Sequence, residues 1–329
     1  MPFTGTSTAN ITASGSQPVL QNYLHNYFLK NYTTKNRFRQ LGKAPISSVG
    51  YKTISRARMD RDLSTEADAV LTEGVPPSDT ILPARLVTVT PIQYGKVSTI
   101  SDVLIAMSKL DIVKETLANL ADNAHRIIDS VIQNELLANM VNVRYAGGVA
   151  SRAALTSNSV INIVDISVLR TFLSQKGAPT YDADKYLAII DDNVAHDLRM
   201  ATGTNTWVDV HKYTSFGIKN IYTGEIGSLH GVRFLTSNNL KTVDIVNTQE
   251  ATVTVHMCYF MGKEAYGVAS LQAFKTYYVP NNSSFSNPLA QGARVGWKCD
   301  FASVILNQEG IARLECASSS NVKFGTGVL

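Results

Sequence analysis

Along residues 111–142, apolar side chains recur at steps of three and four positions, which is the spacing of one face of an α-helix. Asp111 stands where a helix N-cap is expected, and Gly147 with Gly148 supplies a stop signal shortly after the end. No proline or glycine interrupts the run, so the pattern predicts one helix about 48 Å long. Such a helix is either an ordinary long core helix or a beam that spans an elongated subunit. Its apolar positions are Val113, Leu117, Leu120, Ala124, Ile127, Ile128, Val131, Ile132, Leu136, Leu137 and Met140.

Two stretches that precede this helix alternate in polarity and are rich in β-branched residues and tyrosine, as strands are. They cover 47–57 and 84–101, and the polar segment between them contains Gly74, Pro76, Pro77 and Pro83. We interpret the pair as a long hairpin with a mobile tip that projects from the body. A projecting hairpin exposes unpaired strand edges, so a partner is expected to cover it.

Shorter patterns fill the rest of the chain. Helices are predicted at 102–109, 164–176 and 191–200. Strands are predicted at 186–190, 206–210, 232–236, 253–261, 274–278 and 295–306. Helices and strands of unequal length in irregular order favour an α+β fold over a doubly wound sheet.

Charge is distributed unevenly at the start of the chain. Residues 1–59 contain eight Lys or Arg and no Asp or Glu. Residues 1–20 are read as a mobile tail because they hold few apolar residues. From 20 to 39, aromatic and basic residues interleave, which suits either an arm lying on a neighbouring subunit or a surface that stacks bases and holds phosphates. We favour the arm, since no nucleic-acid-binding motif accompanies the charge.

The segment after the arm is acidic, so opposite charges on the arm and on the hairpin loop would let copies of the chain engage head to tail. Plain solvated loop charges are the alternative. The candidate intersubunit residues are Arg37, Arg39, Arg56 and Arg58 on the basic side and Glu66, Asp68 and Glu73 on the acidic side.

Composition narrows the class of protein. The chain has 329 residues, 44% of them apolar and only 17% charged, with a net charge of +4. A low charged fraction suits a protein that buries surface against copies of itself, although many monomers share it. Three widely spaced cysteines argue against a disulfide framework. No signal peptide or membrane-spanning run is recognised, so no membrane partner is expected.

The search for catalytic motifs finds no phosphate-binding glycine loop, no His-Glu-x-x-His and no nucleophile elbow. Neither catalytic residues nor cofactor or metal ligands are therefore assigned. Asp191 and Asp192 are interpreted as helix-capping residues rather than metal ligands. Cys258 is expected to be a packed thiol, and His125 a surface or half-buried side chain on the long helix.

Several short motifs in the second half of the chain occur in a recognisable order. They are Asp197-Leu198-Arg199, Trp207, Gly224-Glu225-Ile226-Gly227, Gly231-Val232-Arg233-Phe234, Pro288-Leu289-Ala290-Gln291, Val295-Gly296-Trp297-Lys298 and Ile305-Leu306-Asn307. Over roughly 45–315 the chain resembles the major capsid proteins of tailed bacteriophages. It resembles in particular the family typified by short-tailed phages whose virions carry a giant RNA polymerase.

This resemblance implies the tailed-phage major capsid protein fold, with an N-terminal arm, an extended β-hairpin loop, a long spine helix, and peripheral and axial domains. Residues 1–47 would be the arm, 48–100 the extended hairpin loop and 101–149 the peripheral domain with the spine helix. Residues 150–285 would form the axial domain, and 286–329 the return to the peripheral domain and the C-terminal tail.

The same resemblance implies a mechanical function. Copies would assemble as pentamers and hexamers into an icosahedral shell around packaged double-stranded DNA, which would touch the inner face without sequence specificity. Besides copies of the chain itself, scaffolding, portal and decoration proteins are the implied candidate partners. The short start leaves no room for a fused scaffolding segment, so scaffolding would come from a separate protein, or there would be none. The protein would reside in the virion after assembly in the host cytoplasm.

Three other functions stay open on the residues alone. An encapsulin-like cellular compartment shell would share the fold. A nucleic-acid-binding protein would use the basic aromatic arm. An unrecognised hydrolase would build its site from residues that are distant in sequence.

Overall fold

The computed structural model describes most of the chain between Gln17 and Ser319. The described residues are 17–35, 37–43, 53–59, 69–71, 73–74, 84–108, 111–181, 184–201, 225–247, 252–281, 289 and 291–319. Its helices are α1 (Gln17–Lys35), α2 (Phe38–Leu41), α3 (Asp102–Met107), α4 (Ile112–Asn139), α5 (Ile163–Gln175) and α6 (Asp192–Met200).

The strands of the first half are β1 (Ile54–Met59), β2 (Ala84–Val89), β3 (Ile92–Ser101), β4 (Val143–Tyr145) and β5 (Tyr186–Ile190). Those of the second half are β6 (Glu225–Leu229), β7 (Val232–Thr236), β8 (Thr242–Val246), β9 (Thr252–Met261), β10 (Tyr266–Ala269), β11 (Lys275–Val279), β12 (Gly292–Ile305) and β13 (Ile311–Cys316). The mixture of helices and strands confirms the predicted α+β class.

Three sheets organise these strands. The hairpin β1–β2 stands as a separate antiparallel pair, with Ile54 opposite Val89. In the second sheet the long strand β12 is central and pairs with β10, β11 and β3. The third sheet runs β4-β13-β9-β5-β7-β6, with β8 also paired to β9. Among the strand pairs of the described residues, β13–β4 and β5–β7 are parallel and the others antiparallel.

The long helix α4 confirms the main sequence prediction. The Asp111 carboxylate caps it by accepting a hydrogen bond from the Lys114 backbone N–H at 3.2 Å. The helix ends at Asn139 rather than near 142, because Asn142 and the residues after it are recruited by β13. The Asn142 amide donates to the Ile311 carbonyl at 3.1 Å, and β4 then pairs with β13.

Two large apolar clusters form most of the core of the described residues. In the first, α4 and α1 pack against the sheet of β12; the rings of Phe28, Tyr32 and Phe274 contact one another, and Trp297 contacts Phe274. In the second, α5 and α6 cover one face of the third sheet. Because α4 is buried along one face only, its opposite face carries the predicted surface pair Asp122–Arg126, at 3.1 Å. The helix is thus the support against which the first cluster is built.

Part of the predicted tail and arm packs within the subunit. Residues 17–35 form helix α1, so 17–20 do not belong to a tail. Leu24, Phe28 and Tyr32 follow one another at steps of four and are buried against the chain's own core, as is Phe38. The aromatic residues expected to anchor an arm on a neighbour therefore anchor α1 and α2 within the subunit.

Other differences concern strands. The predicted strand 84–101 is divided into β2 and β3 around Pro91, which has no N–H to donate to a ladder. Strands β4, β6, β8, β10 and β13 were not predicted individually, since each is short or buried on both faces. The strand predicted at 206–210 lies outside the described residues. None of the described helices is long and apolar enough to span a membrane.

Candidate functional site

Among the described residues, two buried carboxylates are each held by an arginine. Arg152 holds Glu315 through two nitrogens, at 2.5 and 2.6 Å, and Arg144 holds Asp165 at 2.9 Å. Within the described residues, no group of three or more His, Cys, Asp or Glu side chains could hold a metal ion. These pairs fasten the second core cluster to the strands around it.

Asp191 behaves differently from its predicted role. It occupies the N-cap position of α6, but its side chain makes no capping hydrogen bond. Its carboxylate Oδ2 instead lies 2.8 Å from Nδ1 of His256, which is buried on β9. The pair links α6 to the third sheet, so capping is the wrong explanation for this residue.

Two of the cysteines, Cys258 and Cys316, are buried next to each other. Cys258 is fully buried, as expected of a packed thiol, and its Sγ lies 4.0 Å from Sγ of Cys316. The pKa of Cys316 is raised well above its usual value. The larger cause is the hydrogen bond with the Cys258 thiol, and the second is burial. Because the thiolate is the nucleophilic form, the raised pKa leaves the Cys316 sulfur unactivated for covalent chemistry.

His125 is buried rather than half-exposed. Its Nε2 lies 3.6 Å from Oδ2 of Asp129 one turn along α4. Asp129 itself is completely buried. Burial raises its pKa to about 7, while the Phe38 backbone N–H and the Arg37 guanidinium act in the opposite direction.

The predicted intersubunit arginines Arg37 and Arg39 have their described contacts inside the chain. Arg37 is half-buried and faces Asp129 on α4. Arg39 donates a hydrogen bond to the Tyr32 hydroxyl at 3.0 Å, and its guanidinium lies 5.6 and 5.5 Å from the ring centres of Tyr32 and Phe274. The structure therefore brings both residues to the junction of α1, α2 and α4. Their contact with a neighbouring copy stays a prediction.

The other predicted site residues belong to the hairpin. Arg56 lies 4.0 Å from Glu264, whose pKa is lowered chiefly by its hydrogen bond with Lys43. The side chain of Arg58 lies outside the described residues, as do Glu66 and Asp68. Glu73 is exposed. Their contact with another copy also stays a prediction.

The hairpin is anchored at its base and open beyond it. Ile54 packs with Ala269 and Ala302, and Val89 covers that small cluster. Further out, Leu86 is exposed on β2, and Val70 and Leu71 are exposed in the connecting segment. Large apolar side chains on a projecting segment are a feature of surfaces that receive a partner.

A second open surface lies on the sheet of β3, β12 and β11. Tyr277, Gly296 and Val97 stand opposite one another across the three strands. They belong to the lining of a groove of about 510 Å³, together with Arg294 and Lys298. Gly296 is required there, since a Cβ would stand 2.9 Å from the Val97 side chain. The sequence motif around Trp297 contained this signal, but only the pairing register reveals the groove.

Helix α3 forms a third open surface. It contains no buried residue, and Val103, Leu104, Ile105 and Met107 are all exposed. Sequence reasoning identified this helix but not its exposure, because an apolar helix is ordinarily taken as buried.

Comparison with known proteins shows the family to which the chain is related. A family model described as phage capsid protein matches residues 85–314, more than two thirds of the chain. No curated protein sequence matches significantly.

Solved structures share the fold at low sequence identity. The capsid of Ralstonia phage GP4 is 15% identical with a TM-score of 0.67, and the match covers 87% of this chain and 92% of that one. The capsid of cyanophage P-SCSP1u is 15% identical with a TM-score of 0.61, covering 86% and 89%. A virus-like particle from Pyrococcus furiosus is 9% identical with a TM-score of 0.53, covering 90% and 99%.

Proposed function

The chain belongs to the phage capsid protein family, and from this premise we propose that it is the major capsid protein that closes, in many copies, into the shell of a phage head. The observation that carries the proposal is the family match over residues 85–314. The tailed-phage capsid fold supports it, and the family implies the virion as the place where the protein acts. A structural rather than enzymatic role agrees with the family match.

The mechanism of such a shell is multivalent contact. Each subunit touches several neighbours, and closure of the shell turns many weak contacts into a stable whole. We propose that the copies form pentamers and hexamers of an icosahedral shell around double-stranded DNA, after assembly in the host cytoplasm. Scaffolding, portal and decoration proteins belong to the same proposal. The short-tailed phages with a giant virion RNA polymerase remain the proposed relatives.

The proposed division of labour follows the elements of the fold. Helix α4 is the spine of a peripheral domain, and the region from 150 to 285 with α5 and α6 is the axial domain. The hairpin β1–β2 is the extended loop, with Arg56, Arg58, Glu66, Asp68 and Glu73 as its contact residues. Its exposed apolar residues and its shallow anchorage support a role outside its own subunit.

Purified protein tests the function directly. We expect electron microscopy to reveal closed shells of uniform diameter, or rings of five and six subunits, with light scattering that rises above a critical concentration. Protein that stays monomeric over a hundredfold concentration range would contradict the proposal. A steep salt dependence of nucleic-acid binding by that monomer would instead favour the binding-protein alternative.

The contents of particles from infected or expressing cells separate the two kinds of shell. Nuclease-protected DNA supports the phage head. A co-purifying cargo enzyme in place of DNA would favour the cellular compartment, whose fold is also compatible with the likeness to the Pyrococcus furiosus particle.

A further inference from the structure

Helix α3 exposes more apolar surface than a water-facing helix of its size normally does. Val103 is 60% exposed, Leu104 48%, Ile105 38% and Met107 80%. Single exposed apolar residues are common on protein surfaces, but four large ones within one six-residue helix are not. The surface formed by these four side chains is called the α3 patch below.

The conformation of α3 is set from its N-terminal end, not by burial of its side chains. The Ser101 hydroxyl accepts a hydrogen bond from the Leu104 backbone N–H at 3.3 Å. The Asp102 carboxylate accepts one from the Val103 N–H at 2.9 Å, and the Asp102 N–H donates to the Gln291 carbonyl at 3.4 Å. A helix this short is not stable alone in water, so these contacts hold the α3 patch in a fixed shape that is ready for a partner.

The chemistry of the patch restricts the partner. Nucleic acid is held chiefly by cations, and α3 carries no lysine or arginine. A helix that binds a lipid surface pairs its apolar face with a basic one, and α3 has Asp102 as its one charged residue. Permanent contacts between identical subunits, in contrast, are apolar at their centre, with methionine enriched and charges depleted.

We propose that the α3 patch is a contact between subunits, which becomes buried against a second copy of this chain when the shell assembles. The inference rests on the proposed function and adds a contact surface distinct from the hairpin. It also explains why the apolar side chains of α3 are exposed in the single chain. Their burial, which would normally stabilise the helix, takes place on assembly.

Oxidation of the unaltered protein by hydrogen peroxide tests the contact. The peroxide transfers one oxygen atom to a methionine thioether, giving the sulfoxide and water. Met107 and Met200 are exposed in the single chain, whereas Met140, Met257 and Met261 are buried. In dissociated subunits we expect Met107 and Met200 to oxidise quickly and the three buried methionines slowly, as measured by mass spectrometry of peptides.

In assembled shells we expect the rate at Met107 to fall at least tenfold relative to free subunits. An unchanged rate at Met107 in shells that have closed overturns the contact and leaves the proposed function standing. Failure of the protein to form shells or rings overturns the proposed function, and the contact with it.

A variant gives an independent readout. Met107→Lys places a cation at the C-terminal end of α3, where the helix dipole tolerates it. Since Met107 is exposed, we expect the variant to fold with an unchanged urea midpoint but to raise the critical concentration of assembly at least tenfold. Met107→Leu should assemble normally.

The matched control is Val246→Lys, which adds the same charge at an exposed apolar position on β8. It should assemble like the unaltered protein. The contact is overturned if Met107→Lys assembles normally, or if Val246→Lys impairs assembly to the same degree, because the added charge alone would then account for the loss.

Discussion

At the scale of single residues, Asp129 is a buried carboxyl in the core that is costly to ionise. It lies on α4 with no exposed surface, opposite Arg37 and the Phe38 backbone, and near His125, Tyr32 and Tyr266. Burying a carboxylate disfavours its charged form, which is why its pKa is raised to about 7. The residue therefore couples the docking of α2 on α4 to pH.

The sign of this coupling follows from linkage. A carboxyl whose pKa is higher in the folded state binds its proton more tightly there than in the unfolded chain, so its contribution to stability is full below about pH 4 and is lost as the pH rises through 7. A shift of about three pKa units corresponds to a free energy on the order of 4 kcal/mol. At neutral pH and above, ionisation of Asp129 therefore lowers the free energy of unfolding of the subunit.

Asp129→Asn removes the ionisation and keeps the shape of the side chain. We expect the variant to raise the free energy of unfolding at pH 8 by a few kcal/mol and to leave it nearly unchanged at pH 4, as measured by urea denaturation across that range. Asp122→Asn, on the exposed face of the same helix, is the control and should change little. Equal pH dependence in Asp129→Asn and the unaltered protein would contradict the assignment.

At the scale of elements, α1 is a core helix of its own subunit. Phe28 is fully buried between Tyr32 and Phe274, with ring centres at 6.3 and 5.7 Å. Because these contacts lie within one chain, they stabilise the subunit before any assembly. The segment that the sequence suggested as an assembly arm therefore contributes to the folding of its own subunit.

Phe28→Ala should therefore destabilise the unassembled subunit by about 3–5 kcal/mol, the usual cost of removing a buried phenylalanine. The measurement is urea denaturation of subunits kept below the assembly concentration. Asn26→Ala, at an exposed position of the same helix, should cost less than about 1 kcal/mol. A normal subunit midpoint for Phe28→Ala, combined with failed assembly, would mean that the helix belongs on a neighbour after all.

Among the described residues, the hairpin β1–β2, unlike α1, is fixed to its own subunit only at its base. Its base is fixed by Ile54, which packs with Ala269 and Ala302, whereas Leu86 and Leu71 beyond the base face solvent. A two-stranded hairpin is only marginally stable by itself. Its rigidity in an assembled particle would therefore come from the subunit that it contacts.

At the scale of the whole molecule, the acidic hairpin loop gives a prediction about assembly. Reversing its charge with Glu66→Lys, Asp68→Lys and Glu73→Lys together should leave folded subunits that fail to assemble at low salt, because attraction to a basic neighbour becomes repulsion. Since salt screens exposed charges over about 10 Å at 0.1 M, high salt should restore part of the assembly. Light scattering and electron microscopy provide the measurement.

The neutral set Glu66→Gln, Asp68→Asn and Glu73→Gln serves as the matched control and should have an intermediate effect. If the reversed set assembles like the unaltered protein at both low and high salt, the loop charges do not contact a neighbour.

The sequence by itself determined the elements whose signal is local. The steps of three and four along α4, the Asp111 cap and the alternation that predicts β1 and β2 depend on residues close in the chain, and the structure contains each of these elements. The α+β class and the resemblance to phage capsid proteins followed from the order of such elements and motifs. Patterns of this kind survive because helix and strand periods are properties of the backbone.

Tertiary structure alone decided what each surface faces. The aromatics of α1 and the apolar residues of α3 look alike in sequence, yet Phe28 is buried and Met107 is exposed. Likewise, Asp191 meets His256 and Arg39 meets Phe274 across long separations in the chain. Burial depends on which distant elements pack together, and the short-range periodicity of a sequence does not encode those partners.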